Sequence, residues 1–194
     1  MKIPEILTPE EQILLIKQPN PRYYTGQRNK TLLRLMLDSG LRVAEITALK
    51  WNDLNLTTGQ LHVKENKNKK DRILWIGENA LEQLQKLRER QAKDVPADQG
   101  KAPEYVFSTR DGGMLSPRFI QQMVKRYRER CGFDKQVTPH TLRHTFATEL
   151  LRETKNIRLV QKALGHASLS TTQIYAHIVD DELEDALKNI RKSA

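Results

Sequence analysis

The chain of 194 residues has a size suited to one domain with a hydrophobic core, and its 38% hydrophobic and 29% charged residues exclude wholesale disorder. Its 33 lysines and arginines outnumber its 24 acidic residues. The resulting net charge of +9 favours a polyanionic partner, nucleic acid above all. The single cysteine, Cys131, excludes an internal disulfide framework. No apolar run approaches the roughly 18 residues that span a bilayer, so we expect a cytoplasmic protein without membrane contact.

The first elements in chain order are predicted to be helices. In "LTPEEQILLI", Thr8 can cap a helix, Pro9 suits its first position and Glu11 completes a capping box. After the turn-like stretch "KQPNPRYYTG", the run "NKTLLRLMLDSG" places leucines at helical spacing and ends on Gly40, a natural left-handed terminator. A short helix over "LRVAEITALKW" follows.

The hydrophobic period then changes from that of helices to that of strands. The runs "GQLHVKE" and "RILWIG" lie on either side of the lysine-rich "NKNKKD", a pattern that predicts a β-hairpin with a basic tip. A helix over "ENALEQLQKLRER", a surface loop over "QAKDVPADQGKAPE" and a third strand over "YVFS" come next. The remaining predicted helices cover "SPRFIQQMVKRYRER", "TPHTLRHTFATELLRE", "NIRLVQKALG", "STTQIYAHI" and "DELEDALKNIRK". We therefore predict an α+β fold, mostly α-helical with a small antiparallel β-sheet.

A single tyrosine, Tyr175, lies within the polar stretch "HASLSTTQIYAH". Ser170 and Gln173 predict a capping box for this helix, and Ile174 with Ile178 defines its buried stripe. Tyr175 then lies about 100° round the helix from Ile174, so it need not belong to the core. A phenol with a pKa near 10 is a poor nucleophile unless a positively charged, hydrogen-bonding environment surrounds the group that it attacks.

Basic side chains elsewhere in the chain can form such an environment. The stretch "TPHTLRHT" puts His140 and Arg143 on one face of the first turn of a helix, a position that favours phosphate. In "SGLRVAE", Arg42 follows a glycine turn, and Glu45 is placed to hold its guanidinium. His166 follows a further helix end. Guanidinium forks bind the non-bridging oxygens of a phosphodiester, so this set indicates phosphoryl transfer without a metal or other cofactor.

The chain resembles the tyrosine recombinases of the phage integrase family, and within them the Xer-type recombinases. The resemblance lies in "SGLRVAEI", the basic hairpin, "TPHTLRHTFAT" and "LGHASLSTTQIYAH", in which the tyrosine follows the histidine by nine residues. It implies the tyrosine recombinase catalytic fold over residues 1–194, without the N-terminal core-binding domain that family members usually carry. It also implies a site-specific DNA recombinase that works through a 3′-phosphotyrosine intermediate, without metal or ATP.

The resemblance also implies a role for each matching residue. The implied catalytic residues are Arg42, Lys67, His140, Arg143, His166 and Tyr175. Tyr175 is the nucleophile and Lys67 the general acid that protonates the departing 5′ oxygen, with Lys69 or Lys70 as alternatives because glycines do not flank Lys67 here. Glu45 is expected to support the site, and Lys69, Lys70 and Arg72 are expected to contact DNA.

The implied partner is a double-stranded DNA recombination site. On synapsed DNA the chain is expected to act as a homotetramer, and in isolation it is expected to be a monomer. Two other functions stay open. A type IB topoisomerase-like enzyme would nick and reseal one duplex, and a DNA-binding module would occupy sites without cleavage. The resemblance further suggests that the apolar stripe of Leu183, Leu187 and Ile190 docks on a neighbouring protomer, whereas the simpler interpretation has it fold onto its own core.

A zinc site is the other chemistry that the histidine spacing suggests. His140 and His144 are four residues apart, as in zinc-binding helices. Arg143 between them would repel a cation, and no glutamate occupies the position that a zinc protease motif requires. We therefore expect no metal.

Overall fold

The computed structural model describes residues 4–64, 71–95, 103–166, 172, 174 and 175. The α-helices of these residues are α1 (Pro9–Lys17), α2 (Tyr24–Ser39), α3 (Val43–Ala48), α4 (Glu78–Asp94), α5 (Pro117–Cys131), α6 (Pro139–Thr154) and α7 (Ile157–Leu164). A short 3₁₀ helix, Trp51–Asp53, separates α3 from two strands, β1 (Gln60–Val63) and β2 (Arg72–Trp75). The predicted class, mostly α-helical with a small antiparallel sheet, is confirmed.

Capping residues set the helix ends as predicted. The Thr8 hydroxyl accepts a hydrogen bond from the Glu11 amide, and the Glu11 carboxylate accepts one from the Thr8 amide, which completes the capping box of α1. Thr138 caps α6 in the same way, with Pro139 in its first turn. Helix α2 ends at Gly40, whose φ of 59° is the left-handed conformation that glycine adopts without strain.

Two predicted loops are partly helical instead. Helix α2 begins at Tyr24, inside the stretch that we interpreted as a turn. The Tyr24 side chain is buried in the core, and its hydroxyl forms a hydrogen bond with the Ser108 hydroxyl. Helix α4 extends to Asp94, into the predicted surface loop. There Gln91, 1% exposed, accepts a hydrogen bond from the Trp51 indole. Tertiary contacts therefore extend both helices beyond their hydrophobic stripes.

The two strands pair antiparallel, with Gln60 opposite Trp75 and Val63 opposite Arg72, which confirms the hairpin. Its basic tip, residues 65–70, lies outside the described residues. The third strand predicted at 105–108 is wrong: this segment makes single-residue bridges to Lys50 and Met114. The backbone of this segment forms hydrogen bonds with the residues around the 3₁₀ helix. These hydrogen bonds do not add a strand to the hairpin.

The core has two parts. The larger one is centred on α2, which packs against α4 and α6, and it includes the buried residues of α5. The smaller cluster lies between α6 and α7 and consists of Ala147, Leu151, Val160, Leu164 and Tyr175. Apart from Thr172 and the helical residues Ile174 and Tyr175, the chain after His166 lies outside the described residues, and with it the predicted C-terminal helix and its apolar stripe. No described helix has the length and apolar character needed to cross a membrane.

Candidate active site

Arg143 lies at the centre of the site. It projects from the first turn of α6 and is 6% exposed. Its guanidinium donates to the carbonyl oxygen of Gly40, to that of Leu164 at 2.8 Å and to the His166 ring at 3.1 Å. Burial, and then the neighbouring charge of Arg42, lower the pKa of Arg143 to about 10, so it remains charged at neutral pH. A buried cation of this kind favours the binding of an anion.

Three arginines converge on the C-terminus of α7. The carbonyl oxygens of residues 163–165 accept, in order, from Arg72 Nε at 2.8 Å, Arg143 Nη2 at 2.8 Å and Arg42 Nη2 at 3.2 Å. The last carbonyls of a helix have no partner within the helix, and the helix dipole makes this end negative. The end of α7 therefore holds the three guanidinium groups close together despite their mutual repulsion.

Glu45 is the carboxylate that pairs with these arginines. Its Oε1 accepts from Arg42 Nη1 at 2.7 Å and from Arg72 Nη1 at 3.0 Å, while its Oε2 accepts from Arg72 Nη2 at 2.9 Å. Burial alone raises the pKa of the Glu45 carboxyl, but hydrogen bonds from Arg72 and the Arg42 backbone outweigh it and lower the pKa. Glu45 is therefore ionised at neutral pH. Arg42 and Arg72 bond this carboxylate directly, and with Arg143 nearby the described part of the site carries three guanidinium charges against one carboxylate charge.

Arg72 occupies a different place from the one expected of a DNA contact. Its side chain is 6% exposed, and its guanidinium is directed at Glu45 and at the carbonyl of Ala163. Arg72 therefore ties β2 of the hairpin to both Glu45 and α7. Sequence reasoning did not find this link, because the partner groups are distant in the chain and one of them is a backbone carbonyl.

The hydrogen bonds of His166 define its protonation. Its Nε2 lies 3.1 Å from Arg143 Nη2, and its Nδ1 lies 3.1 Å from the Thr172 hydroxyl. A guanidinium can only donate, so Nε2 accepts and the imidazole is neutral with its proton on Nδ1. His166 thus lies beside Arg143, as the sequence pattern suggested, and orients its guanidinium.

Tyr175 is buried, so the expectation that it need not belong to the core is wrong. Its side chain is 1% exposed and packs in the cluster between α6 and α7. The hydroxyl lies 2.9 Å from Nδ1 of His144. Burial raises the pKa of the Tyr175 phenol, although the charge of Arg143 acts in the opposite direction. The position of Tyr175 on its own helix could not reveal this, because α6 and α7 supply the surfaces that cover it.

His144 is the contact residue that sequence reasoning left out of the site. It follows Arg143 directly and lies one turn after His140, which is exposed on the first turn of α6. Burial, and then the neighbouring His140 and Arg143, lower the pKa of His144. Its four-residue spacing from His140 was the available signal in the sequence, and that spacing does not identify Tyr175 as its partner. The described residues contain no group of three or more histidine, cysteine or acidic side chains that could hold a metal ion.

The basic residues predicted for the hairpin tip, Lys67, Lys69 and Lys70, lie outside the described residues. The structure therefore brings together Arg42, Glu45, Arg72, Arg143 and His166. It places Tyr175 against His144, the neighbour of Arg143 on α6.

Comparison with known proteins shows the family of this chain. The model of the phage integrase family matches residues 5–182. Over 177 residues the chain is 39% identical to the tyrosine recombinase XerC of Thermodesulfovibrio yellowstonii, covering 91% of this chain and 58% of that protein. It is 35% identical to the tyrosine recombinase XerD of Halalkalibacterium halodurans, covering 100% of this chain and 64% of that protein.

Solved structures show the same fold. The crystal structure of the XerA recombinase superimposes with a TM-score of 0.80 at 30% identity, covering 98% of this chain and 66% of that one. The XerH site-specific recombinase in a post-cleavage complex with its palindromic difH substrate superimposes with a TM-score of 0.81 at 28% identity, covering 96% of this chain and 53% of that one. The chain thus spans about three fifths of the length of the relatives it matches. With the arginine cluster, the histidines and the tyrosine in the order that its sequence motifs predict, the chain belongs to the phage integrase family.

Proposed function

We propose that this chain carries the catalytic chemistry of a site-specific DNA recombinase of the Xer type. The Tyr175 oxygen attacks a scissile phosphate, a bond forms between that oxygen and phosphorus, and the bond to the 5′ oxygen breaks. The phenol loses its proton, and the departing 5′ oxygen gains one. The resulting 3′-phosphotyrosine is then attacked by a 5′ hydroxyl of a partner duplex, so bond energy is conserved and ATP is not required.

The observation that carries the proposal is the set of three guanidinium groups fixed against the end of α7, two of which also bond Glu45. Arg42 and Arg143 present planar donors that match the non-bridging oxygens of a phosphodiester. Donors held in place before the reaction stabilise the charge that develops on a pentacoordinate phosphate at no cost in reorganisation. The side chain of Arg42 is 30% exposed, so part of it faces solvent on this side of the site.

The remaining roles rest on the resemblance and are part of the proposal. Lys67 is the general acid for the 5′ oxygen, and His140 and His166 contribute to binding of the transition state. His166 has its Nε2 occupied by Arg143, so we expect this contact to rearrange when a phosphate takes up the Arg143 donors.

The proposed partner is a double-stranded recombination site, bound by the basic surface of the chain and synapsed with a second site in a homotetramer. The net charge of +9 supports a polyanionic partner. The XerH relative was solved on a difH substrate. Because DNA is the substrate, we place the reaction in the cytoplasm.

Covalent trapping tests the proposal. Wild type and Tyr175→Phe are incubated with nicked duplexes that carry candidate sites, without divalent metal, and the mixture is denatured and separated by size. We expect a protein–DNA band with wild type and no band with Tyr175→Phe. A band that persists in Tyr175→Phe would refute the assignment of the nucleophile. Strand exchange that needs two duplexes would separate a recombinase from an enzyme that nicks and reseals one.

A further inference from the structure

Strand β2 buries its charged residue and exposes two apolar ones. The Arg72 side chain lies on the same face of the strand as the partly buried Leu74, whereas Ile73 and Trp75 on the opposite face are 48% and 67% exposed. A strand with one covered face normally places apolar side chains on that face. Apolar side chains of similar volume often stabilise a fold as well as a buried ion pair does, so stability alone does not account for an arginine here. The arrangement indicates that Arg72 fixes a geometry.

The donors of Arg72 hold β2 against the groups that orient the other arginines. Nη1 and Nη2 donate to the two carboxylate oxygens of Glu45 at 3.0 and 2.9 Å, and Nε donates to the Ala163 carbonyl at 2.8 Å. Arg143 bonds the next carbonyl along α7, and Arg42 shares Glu45 Oε1 with Arg72. A bidentate pair with a third hydrogen bond holds a guanidinium in one orientation. The backbone at Arg72 therefore keeps a fixed relation to the two arginines proposed to bind phosphate.

Arg72 lies at the base of the hairpin, next to its basic tip. It is the first residue of β2 and pairs with Val63, the last residue of β1. The tip, residues 65–70, thus begins and ends two residues beyond this pair. Lys67, the proposed general acid, precedes Arg72 by five residues in the chain. The place where the base is held therefore limits where the tip can present an acid to the scissile phosphate.

We propose that Arg72 is a positioning residue for protonation of the departing 5′ oxygen: it holds the hairpin base in register with the arginines that bind the phosphate. This role rests on the proposed function, in which an acid on the hairpin tip protonates that oxygen. Arg72 acts through the hairpin and contacts no DNA itself. Its loss therefore slows departure of the 5′ oxygen and leaves DNA affinity unchanged.

A duplex with sulfur in place of the bridging 5′ oxygen distinguishes this role from phosphate binding. In its cleavage the Tyr175 oxygen bonds to phosphorus, the bond from phosphorus to sulfur breaks, and the sulfur departs as a thiolate while the phenolic proton passes to solvent. A thiol has a pKa of about 8.5, far below that of an alcohol, so a thiolate departs without an acid. A misplaced acid therefore slows cleavage of the oxygen substrate and not of the sulfur substrate.

Two substitutions of Arg72 are measured on both substrates. Arg72→Met removes the donors, and Arg72→Lys keeps a charge beside Glu45 without the guanidinium fork. At saturating nicked duplex we expect Arg72→Met to form the covalent complex on the oxygen substrate about 10²-fold more slowly than wild type, the cost of a misplaced group. On the sulfur substrate its rate should return to that of wild type. Arg72→Lys should show the same pattern with a smaller loss, and it carries the test if Arg72→Met does not fold.

Three further variants calibrate the comparison. Lys67→Ala should be slow on the oxygen substrate alone, and Arg42→Ala should be slow on both substrates. Gln91→Leu, which removes a buried hydrogen bond in the core, should match wild type on both. Equal losses of the Arg72 variants on oxygen and sulfur would overturn the inference. Weaker DNA binding by a folded Arg72→Met with an unchanged rate at saturation would also overturn it, since Arg72 would then be a DNA contact.

Hydrogen exchange tests the link between hairpin and α7 without DNA. Loss of a charge-assisted hydrogen bond should make the amides of β1 and β2 exchange at least about tenfold faster in Arg72→Met than in wild type. The amides of α2, in the main core, should exchange at the wild-type rate in a folded variant. Unchanged exchange in β1 and β2 would overturn the inference. Failure of wild type to form any covalent complex would count against the proposed function, and the exchange result would then decide the role of Arg72 in holding the hairpin.

Discussion

Replacing Glu45 by glutamine keeps the shape of the side chain but removes the carboxylate shared by two arginines. In the wild type, Glu45 accepts two hydrogen bonds from the Arg72 guanidinium, one from the Arg42 guanidinium and one from the Arg42 backbone amide. A glutamine amide nitrogen cannot accept, so at least one donor loses its partner. The positive charges of the site then repel one another with the end of α7, and not a carboxylate, to offset them.

The magnitude follows from the burial of each partner. Arg72 is 6% exposed and Glu45 9% exposed, whereas Arg42 is 30% exposed and retains solvent as an alternative partner. Removing one member of a buried ion pair lowers the free energy of unfolding by about 3–5 kcal/mol. Removing one member of an exposed pair lowers it by well under ~1 kcal/mol. We expect Glu45→Gln to lower the free energy of unfolding by about 3 kcal/mol, most of it through Arg72.

Urea unfolding followed by circular dichroism measures this change. The matched control is Glu82→Gln, which breaks an exposed pair with Lys86 on α4 and should leave the urea midpoint close to that of wild type.

The pH dependence of the stability difference supplies a second check. Because the pKa of Glu45 is lowered in the folded state, its contribution is present above the ordinary pKa of 4.5 and is lost as the pH falls through the folded-state pKa. The gap between wild type and Glu45→Gln should therefore close in acid. A gap below 0.5 kcal/mol at pH 7, or one that stays constant into acid, would refute the reasoning.

Other predictions follow from single contacts. Gly40→Ala should cost about 2–3 kcal/mol in unfolding free energy, because φ is 59° and the new Cβ would lie 2.3 Å from Phe146 Cδ1; an unchanged urea midpoint would contradict this. Gln91→Leu should cost about 1–3 kcal/mol by leaving the buried Trp51 indole N–H unpaired, with DNA affinity unaffected; a loss of affinity in the folded variant would place Gln91 in the binding surface. DNA affinity of wild type should fall linearly with the logarithm of salt concentration in a filter-binding titration, and a flat response would argue against phosphate contacts.

Much of the local architecture could be predicted from the sequence. Helix ends depend on residues only a few positions apart, so the sequence shows them directly. Examples are the capping box of α1, the proline in the first turn of α6 and the left-handed glycine after α2. The hairpin followed from a change of hydrophobic period. The grouping of Arg42 with Glu45 likewise follows from three-residue spacing on one helical turn.

Only the tertiary structure determined how the site is assembled. Arg42 reaches the carbonyl of Gly165, 123 residues away, and Arg143 reaches that of Gly40, 103 residues away. Every residue has a backbone carbonyl, so the sequence carries no signal that selects these partners. The burial of Tyr175 depends in the same way on the packing of α6 against α7. The sequence thus determined which residues are candidates for the chemistry, and packing determined where the side chain of Tyr175 lies.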